Sequence, residues 1–533
     1  MHKLFSTLKF ARKGWLITLL IILSFILLPL FSILFRAFEP DAPTWDLITT
    51  YFLSKYIWNS MILVFGVVLF CLILGVIPAW LIANYDFPGR KLFKLGLLLP
   101  LAIPTYIMAY TYTGVFDSTG TIQQITRSWF GQETANAVYF DFMTPFWLVI
   151  LLACCLYPYV YSACLISFSS NSARQLEASA SLGANGRSRF FKIGLPLAKP
   201  ALFAGLFLVV MEVLNEYGAV QYFNYKTFTT GIFTAWENGD LTSAVRVAIM
   251  LFGIAMLFLF STKIFGGKQR MTSSSSQPIK RIKLTGNQRL IAFMCCGTIF
   301  LFAFLIPFAQ LIYWAIQSFQ TVVDTDFYRL TWNTFIVSLF AAAIITAVGF
   351  ILLYAGNQLK AIGGKRLSSL GVLGYSVPGA IIAIGIIIPF VYFDHALATN
   401  WFLGTVFGLI IAYLIRFLAV SYGPLKGAFE KQGSRLDEAG QNLKSSPLKT
   451  MLKIHFPILK PAFAIAIILV FVDIMKELPI TLILRPMNYD TLATEAYRYA
   501  QVNESAMQSS PASVLLILLG IIPILLLSKM LKR

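Results

Sequence analysis

Twelve apolar runs, each about as long as a bilayer is thick, set the terms on which this chain can fold. A helix needs about 20 apolar residues to cross roughly 30 Å of hydrocarbon. Runs of that length fall at approximately 15–35, 57–84, 92–116, 145–168, 201–222 and 241–265, then at 289–318, 332–356, 367–393, 402–422, 461–484 and 512–531. Backbone groups in lipid must be satisfied within their own segment, so such runs predict helices. With 58% hydrophobic and only 12% charged residues over 533 positions, the chain belongs to the membrane class.

The net charge of +19 is a topology signal. With the N-terminus placed inside, 32 of the 42 Lys and Arg residues fall on one set of alternate loops and 7 on the other; Arg246, Arg416 and Lys476 fall within runs. That asymmetry predicts both termini in the cytoplasm and leaves no role for nucleic acid as a partner. Lys3, Lys9, Arg12 and Lys13 precede the first run, which is too long for the core of a signal peptide and reads as an uncleaved first helix. The six cysteines all lie in apolar runs and read as packing residues, and the three histidines (His2, His395, His455) are too scattered for a metal site or a catalytic triad.

A Ser- and base-rich stretch around Thr272–Ser276 and Pro278 has the composition of a flexible linker. It divides the chain into 1–265, a linker at 266–288, and 289–533, with six runs on each side. The two sides repeat. Glu177-Ala178-Ser179-Ala180-Ser181-Leu182-Gly183, continuing through Lys192-Ile193-Gly194-Leu195-Pro196, aligns without gaps at an offset of 261 with Glu438-Ala439-Gly440-Gln441-Asn442-Leu443-Lys444, continuing through Lys453-Ile454-His455-Phe456-Pro457. Trp58-Asn59-Ser60 matches Trp332-Asn333-Thr334, and Pro104 matches Pro378, at an offset of 274. Both repeats enter the membrane in the same sense, related by an axis along its normal. The fold expectation is an all-α polytopic membrane protein with about 12 transmembrane helices in two parallel six-helix repeats.

The pattern E-A-x-x-x-x-G-x9-I-x-L-P in these loops, at about 169–200 and 430–460, resembles the EAA motif of binding-protein-dependent ABC importer permeases. The resemblance covers essentially the whole chain. It implies that each loop folds as two short helices with a turn at the glycine and docks on an ATPase. The ATPase-coupling residues it picks out are Glu177, Ala178, Gly183, Ile193 and Pro196, with Glu438, Ala439, Lys444, Ile454 and Pro457. Gly183 suits a turn with positive φ, whereas Lys444 there would be strained by about 1 kcal/mol, so unequal coupling by the two loops is expected. The resemblance also implies two copies of a cytoplasmic ABC ATPase, a periplasmic substrate-binding protein, and a place in the bacterial inner membrane. No G-x-x-x-x-G-K-[ST] loop occurs in the sequence, so no cofactor is expected on this chain and ATP hydrolysis is assigned to a separate subunit.

Ionisable residues inside spans cost about 2.5–3.5 kcal/mol each and mark function by default. Glu212 and Glu216 are matched by Asp473 and Glu477 at the 261 offset. Four-residue spacing puts each pair on one helix face, a candidate translocation pathway on which Fe(III) would dwell only transiently. Structural ion pairing with Arg246 and Lys476 is the alternative role, and Arg416 reads as the partner of another polar group. Met475-Lys476-Glu477-Leu478-Pro479-Ile480-Thr481, with Leu484-Arg485-Pro486 and Asp490-Thr491-Leu492-Ala493-Thr494, resembles the ferric-iron uptake permeases, fused two-domain members of the EAA family. Relatives of that architecture handle thiamine or aminoethylphosphonate, and these substrates stay open, as does a proton-coupled secondary transporter.

Overall fold

The computed structural model describes residues 2–170, 183, 185–265, 281–432, 435–442, 445–502 and 505–530. Among them, eleven helices are long and apolar enough to cross a membrane, and the pair Arg90–Ala102 and Thr105–Val138, bent by 95°, supplies a twelfth span. The only strand pairing among the described residues is a two-residue parallel ladder between Tyr85–Asp86 and Ile282–Lys283.

Four of the apolar runs are broken helices, contrary to the uninterrupted spans read from hydropathy. The runs at 92–116 and 367–393 break before Pro104 and Pro378. A residue preceding proline is pushed out of the helical region: Ile103 sits at φ −90°, ψ 115° and Val377 at φ −106°, ψ 124°. Each proline then opens a new helix, Thr105–Phe116 and Gly379–Ala396. The runs at 201–222 and 461–484 begin earlier than hydropathy suggests, as Leu195–Asn215 and Phe456–Lys476, and stop at Glu216 and Glu477.

Most helices of the two repeats correspond. Leu195–Asn215 and Phe456–Lys476 are both 21 residues long, Phe228–Glu237 and Leu492–Gln501 both 10, and Leu241–Phe265 and Ala506–Met530 both 25. Arg90–Gly96 and Gly364–Leu370 each start after a left-handed glycine, Gly89 (φ 73°) and Gly363 (φ 83°), a conformation that costs a residue with a Cβ about 1 kcal/mol or more. The first repeat is longer because it carries the helix Thr121–Val138, where the second has only the loop 397–405.

Proline also explains a recurrent wide turn. Phe190–Gly194, Leu301–Leu305 and Met451–His455 are single π turns. Each is followed two residues on by a proline, Pro196, Pro307 or Pro457, whereas a further π turn, Ile48–Phe52, has Ser54 there. Proline lacks an N–H and its ring crowds the carbonyl four residues back, and a wider turn relieves both.

Two compact units arise from the packing, and each draws on both repeats. One comprises residues 44–234, 250–324 and 495–533. In it Leu53–Asn84 packs along Pro145–Ser170 and Leu195–Asn215, while Ile306–Val322 lies against Ala506–Met530. The other comprises 1–43, 235–249 and 325–494. There Thr325–Gln358, Val406–Gln432 and Phe456–Lys476 pack together, and His2–Arg36 lies along Gly379–Ala396. That contact is close because Gly385 presents bare backbone: a Cβ there would meet the Pro29 carbonyl at 2.7 Å, and Ser32 donates its hydroxyl to the Gly385 carbonyl. Arg246 fastens the far end of His2–Arg36 by donating to the carbonyls of Ala37 (3.2 Å) and Glu39 (2.7 Å).

Candidate functional site

The second EAA-like loop contains a short helix, Arg435–Asn442, and then a second one, Pro447–Thr450. Glu438 is exposed on the first of these and Ala439 lies within it. Ser446 caps the second, accepting from the Lys449 amide at 3.3 Å. The first loop carries the same cap at the equivalent position, where Asn185 accepts from the Ser188 amide at 2.8 Å. Ile193 and Ile454 are half-buried within the π turns, and Pro196 and Pro457 are exposed just beyond them. Gly183 has φ +79°, the left-handed conformation expected of it, with open space around its Cβ position. Glu177, Ala178 and Lys444 lie outside the described residues.

The membrane acids occupy two kinds of position. Glu212 and Asp473 are half-buried on helices, one turn before the breaks. Glu216 and Glu477 are the breaks themselves, with extended backbones at φ −66°, ψ 123° and φ −68°, ψ 122°. The second acid of each pair is therefore the last residue to keep the helical φ, and the chain leaves the helix at its ψ. The reason is local. Oε1 of Glu216 accepts from the Ala219 amide at 2.8 Å, and Oε1 of Glu477 accepts from the Ile480 amide at 3.1 Å. Each carboxylate satisfies an amide at the start of the next short helix, Gly218–Tyr222 or Pro479–Leu484, where negative charge is favoured. The carbonyls freed at the breaks are bonded too, Glu216 by the Thr229 hydroxyl (2.6 Å) and Glu477 by the Thr481 hydroxyl (2.8 Å).

Through the same carboxylates each repeat ties its two helix breaks together. In the first, Thr105, just after the Pro104 break, donates its hydroxyl to Oε2 of Glu216. In the second, Arg416 lies with Nε 3.6 Å from Oε2 of Glu477 and donates from Nη1 to the Val377 carbonyl (2.8 Å) before Pro378. Arg416 is thus a partner for a polar group, as its sequence context suggested. The 261 offset places Cys155 at its position in the first repeat.

The repeated W-N-S/T element also gains an account. The Ser60 hydroxyl accepts from the Phe228 amide (3.4 Å) and the Thr334 hydroxyl from the Leu492 amide (2.9 Å). Both amides open the ten-residue helices, which carry a second cap in the amides of Thr227 and Thr491 bonded to Thr230 (2.8 Å) and Thr494 (2.9 Å). The Asp490–Thr494 run is therefore a helix start pinned to a neighbouring span.

Two further features bear on chemistry. Among the described residues, no group of three or more His, Cys, Asp or Glu side chains comes together to hold a metal ion. Sequence reasoning set His455 aside as an isolated histidine, yet it is fully buried and bonded to Asp437 in the second loop; the nearest signal was its place inside the I-x-F-P stretch of the motif.

Comparison with known proteins matches residues 71–270 and 349–533 to a family model described as binding-protein-dependent transport system inner membrane component. The chain is 27% identical to the Fe(3+)-transport system permease protein FbpB 2 of Haemophilus influenzae, over 97% of this chain and 98% of that protein. It is 28% identical to the sulfate transport system permease protein CysT of Salmonella typhimurium, over 46% of this chain and 88% of that one. The molybdenum transport system permease protein ModB of Escherichia coli is 28% identical over 38% of this chain and 90% of its own length.

Proposed function

The chain belongs to the family of binding-protein-dependent transport system inner membrane components, and from that premise we propose that it is the permease of an importer that carries ferric iron. It is a permease of the ABC importer family, with a full-length relative whose name is that of a ferric permease. The sulfate and molybdenum permeases align with less than half of this chain, whereas the ferric permease aligns end to end, and that is the observation that carries the iron reading. Charge supports it. Glu212, Glu216, Asp473 and Glu477 would draw a cation and repel a sulfate or molybdate dianion.

In this reading a periplasmic binding protein delivers iron, and two copies of a separate ATPase act from the cytoplasm on the loops at 169–200 and 430–460. Both termini are cytoplasmic in this reading, which the distribution of the basic residues supports. Iron passes as cargo along a path that includes the four acids, where Glu212 and Asp473 meet it on helices. Glu216 and Glu477 hold the breaks that end their helices. A paired set of ATPase-docking loops has no use in a proton-coupled carrier, which disfavours that alternative.

The test is co-purification. A separate ATPase should accompany the native chain and be lost when Glu177 and Glu438 are both changed to alanine; an ATPase retained by the double variant, or absent from the native chain, refutes the reading.

A further inference from the structure

At the root of the second coupling loop a histidine is completely enclosed. His455 closes the π turn Met451–His455, immediately before the helix Phe456–Lys476. Its Nδ1 lies 3.0 Å from Oε1 of Gln432, the last residue of Val406–Gln432. Its Nε2 lies 3.0 Å from Oδ1 of Asp437, on the short helix Arg435–Asn442. The other oxygen of Asp437 accepts from Nδ2 of Asn357 at 2.9 Å. The imidazole is packed against Phe429 (ring centroids 4.9 Å apart) and Tyr354 (5.6 Å), and the Tyr354 hydroxyl donates to the Pro447 carbonyl at 2.9 Å. One short helix is thus held by its aspartate to the base of a spanning helix.

The first repeat fills the same place differently. The offsets put Gly194 at the position of His455, Trp80 at that of Tyr354 and Phe168 at that of Phe429. A Cβ on Gly194 would stand 2.4 Å from the Trp80 ring, and that ring meets Phe168 and Phe190 edge-on at 5.2 Å each. An indole over glycine occupies the space that a phenol and an imidazole share in the second repeat. Leu176 stands in sequence where the second loop has Asp437. Glycine and leucine side chains carry no polar atom, so the polar tie cannot form in the first repeat.

We propose that His455 is a positioning residue that locks the second coupling helix to the root of Phe456–Lys476, so that displacement of this loop moves the spanning helix with it. Both ring nitrogens and both carboxylate oxygens are engaged in an enclosed setting. Parting them strands polar groups away from water, which is far costlier than bending a solvated turn. The proposal rests on the coupling role given above to the loop at 430–460.

The test transplants the first repeat's packing into the second. The double variant Tyr354→Trp/His455→Gly installs the first repeat's pair of residues and removes the lock, Asp437→Leu removes it from the other side, and His455→Gln keeps a side chain able to donate. Amide hydrogen exchange on the full-length chain should be at least about tenfold faster across 435–442 in the first two variants, and unchanged across 456–476. His455→Gln should stay within about threefold of native. With the co-purifying ATPase and binding protein, both lock-free variants should hydrolyse ATP but move several-fold less substrate per ATP. Native exchange at 435–442 in both variants overturns the lock. Faster exchange with a native transport-to-ATP ratio overturns the positioning role. If no ATPase accompanies even the native chain, the coupling reading itself fails, and the exchange data still judge the lock.

Discussion

Arg416 and Glu477 face each other at 3.6 Å with side chains only 5% and 6% exposed, and between them they join two helix breaks of the second repeat. The arginine holds the Val377 carbonyl before Pro378, and the glutamate holds the amide of Ile480 after its own break. Removing one member of such a pair leaves the other charge buried, a loss of about 3–5 kcal/mol. Arg416→Met should therefore lower the thermal stability of the purified protein sharply. Arg416→Met/Glu477→Gln should recover much of that loss. Additive effects of the two substitutions in a double-mutant cycle would show that the pair is not coupled.

The pins on the ten-residue helices make a milder prediction. Ser60→Ala and Thr334→Ala each remove a hydroxyl that accepts a helix-opening amide. Each should cost about 1 kcal/mol, with Thr334→Ala the greater loss because its bond is shorter. Thermal unfolding of the two variants side by side measures the difference.

Gly183 offers a test of backbone alone. Its Cβ position is open and its φ is +79°, so alanine meets no neighbour but is strained by about 1 kcal/mol. Gly183→Ala should reduce transport in cells, and Gly183→Asn, which tolerates the left-handed region, should restore most of it.

The π turns should respond to proline removal. Pro196→Ala and Pro457→Ala restore an N–H and relieve the crowding that widens Phe190–Gly194 and Met451–His455. A return to α geometry takes one residue out of the wide turn and rotates the loop by about 100° relative to its spanning helix. Transport by the double variant should fall by about an order of magnitude, with thermal stability unchanged or raised. Uptake assays paired with unfolding curves separate the two effects.

Hydropathy made the spans legible because it averages over about 20 residues, and that same averaging concealed the breaks. Pro104 and Pro378 were visible as matched residues of the repeats, but a window dominated by leucine and isoleucine still reads as one helix. That Glu216 and Glu477 end their helices was not legible, because nothing local announces that a carboxylate will cap the helix that follows. The helix exchange between repeats was invisible for another reason. Which neighbour a spanning helix chooses depends on side-chain fit, such as Ser32 and Ile33 against Gly385, and not on the apolar content that all twelve runs share. Gly183 was the opposite case, since a turn that needs positive φ leaves its mark in a single residue type. His455 was discounted for want of nearby histidines, and its partners Gln432 and Asp437 are ordinary residues that only folding brings to it.

The measurement closest to the central claim is accumulation of radiolabelled ferric iron in proteoliposomes that hold this chain with its ATPase and binding protein. ATP should drive uptake, and omission of the binding protein or the Glu177→Ala/Glu438→Ala substitutions should abolish it. Iron uptake driven by a proton gradient without ATP, or ATP-driven accumulation of sulfate or molybdate in place of iron, would contradict the account.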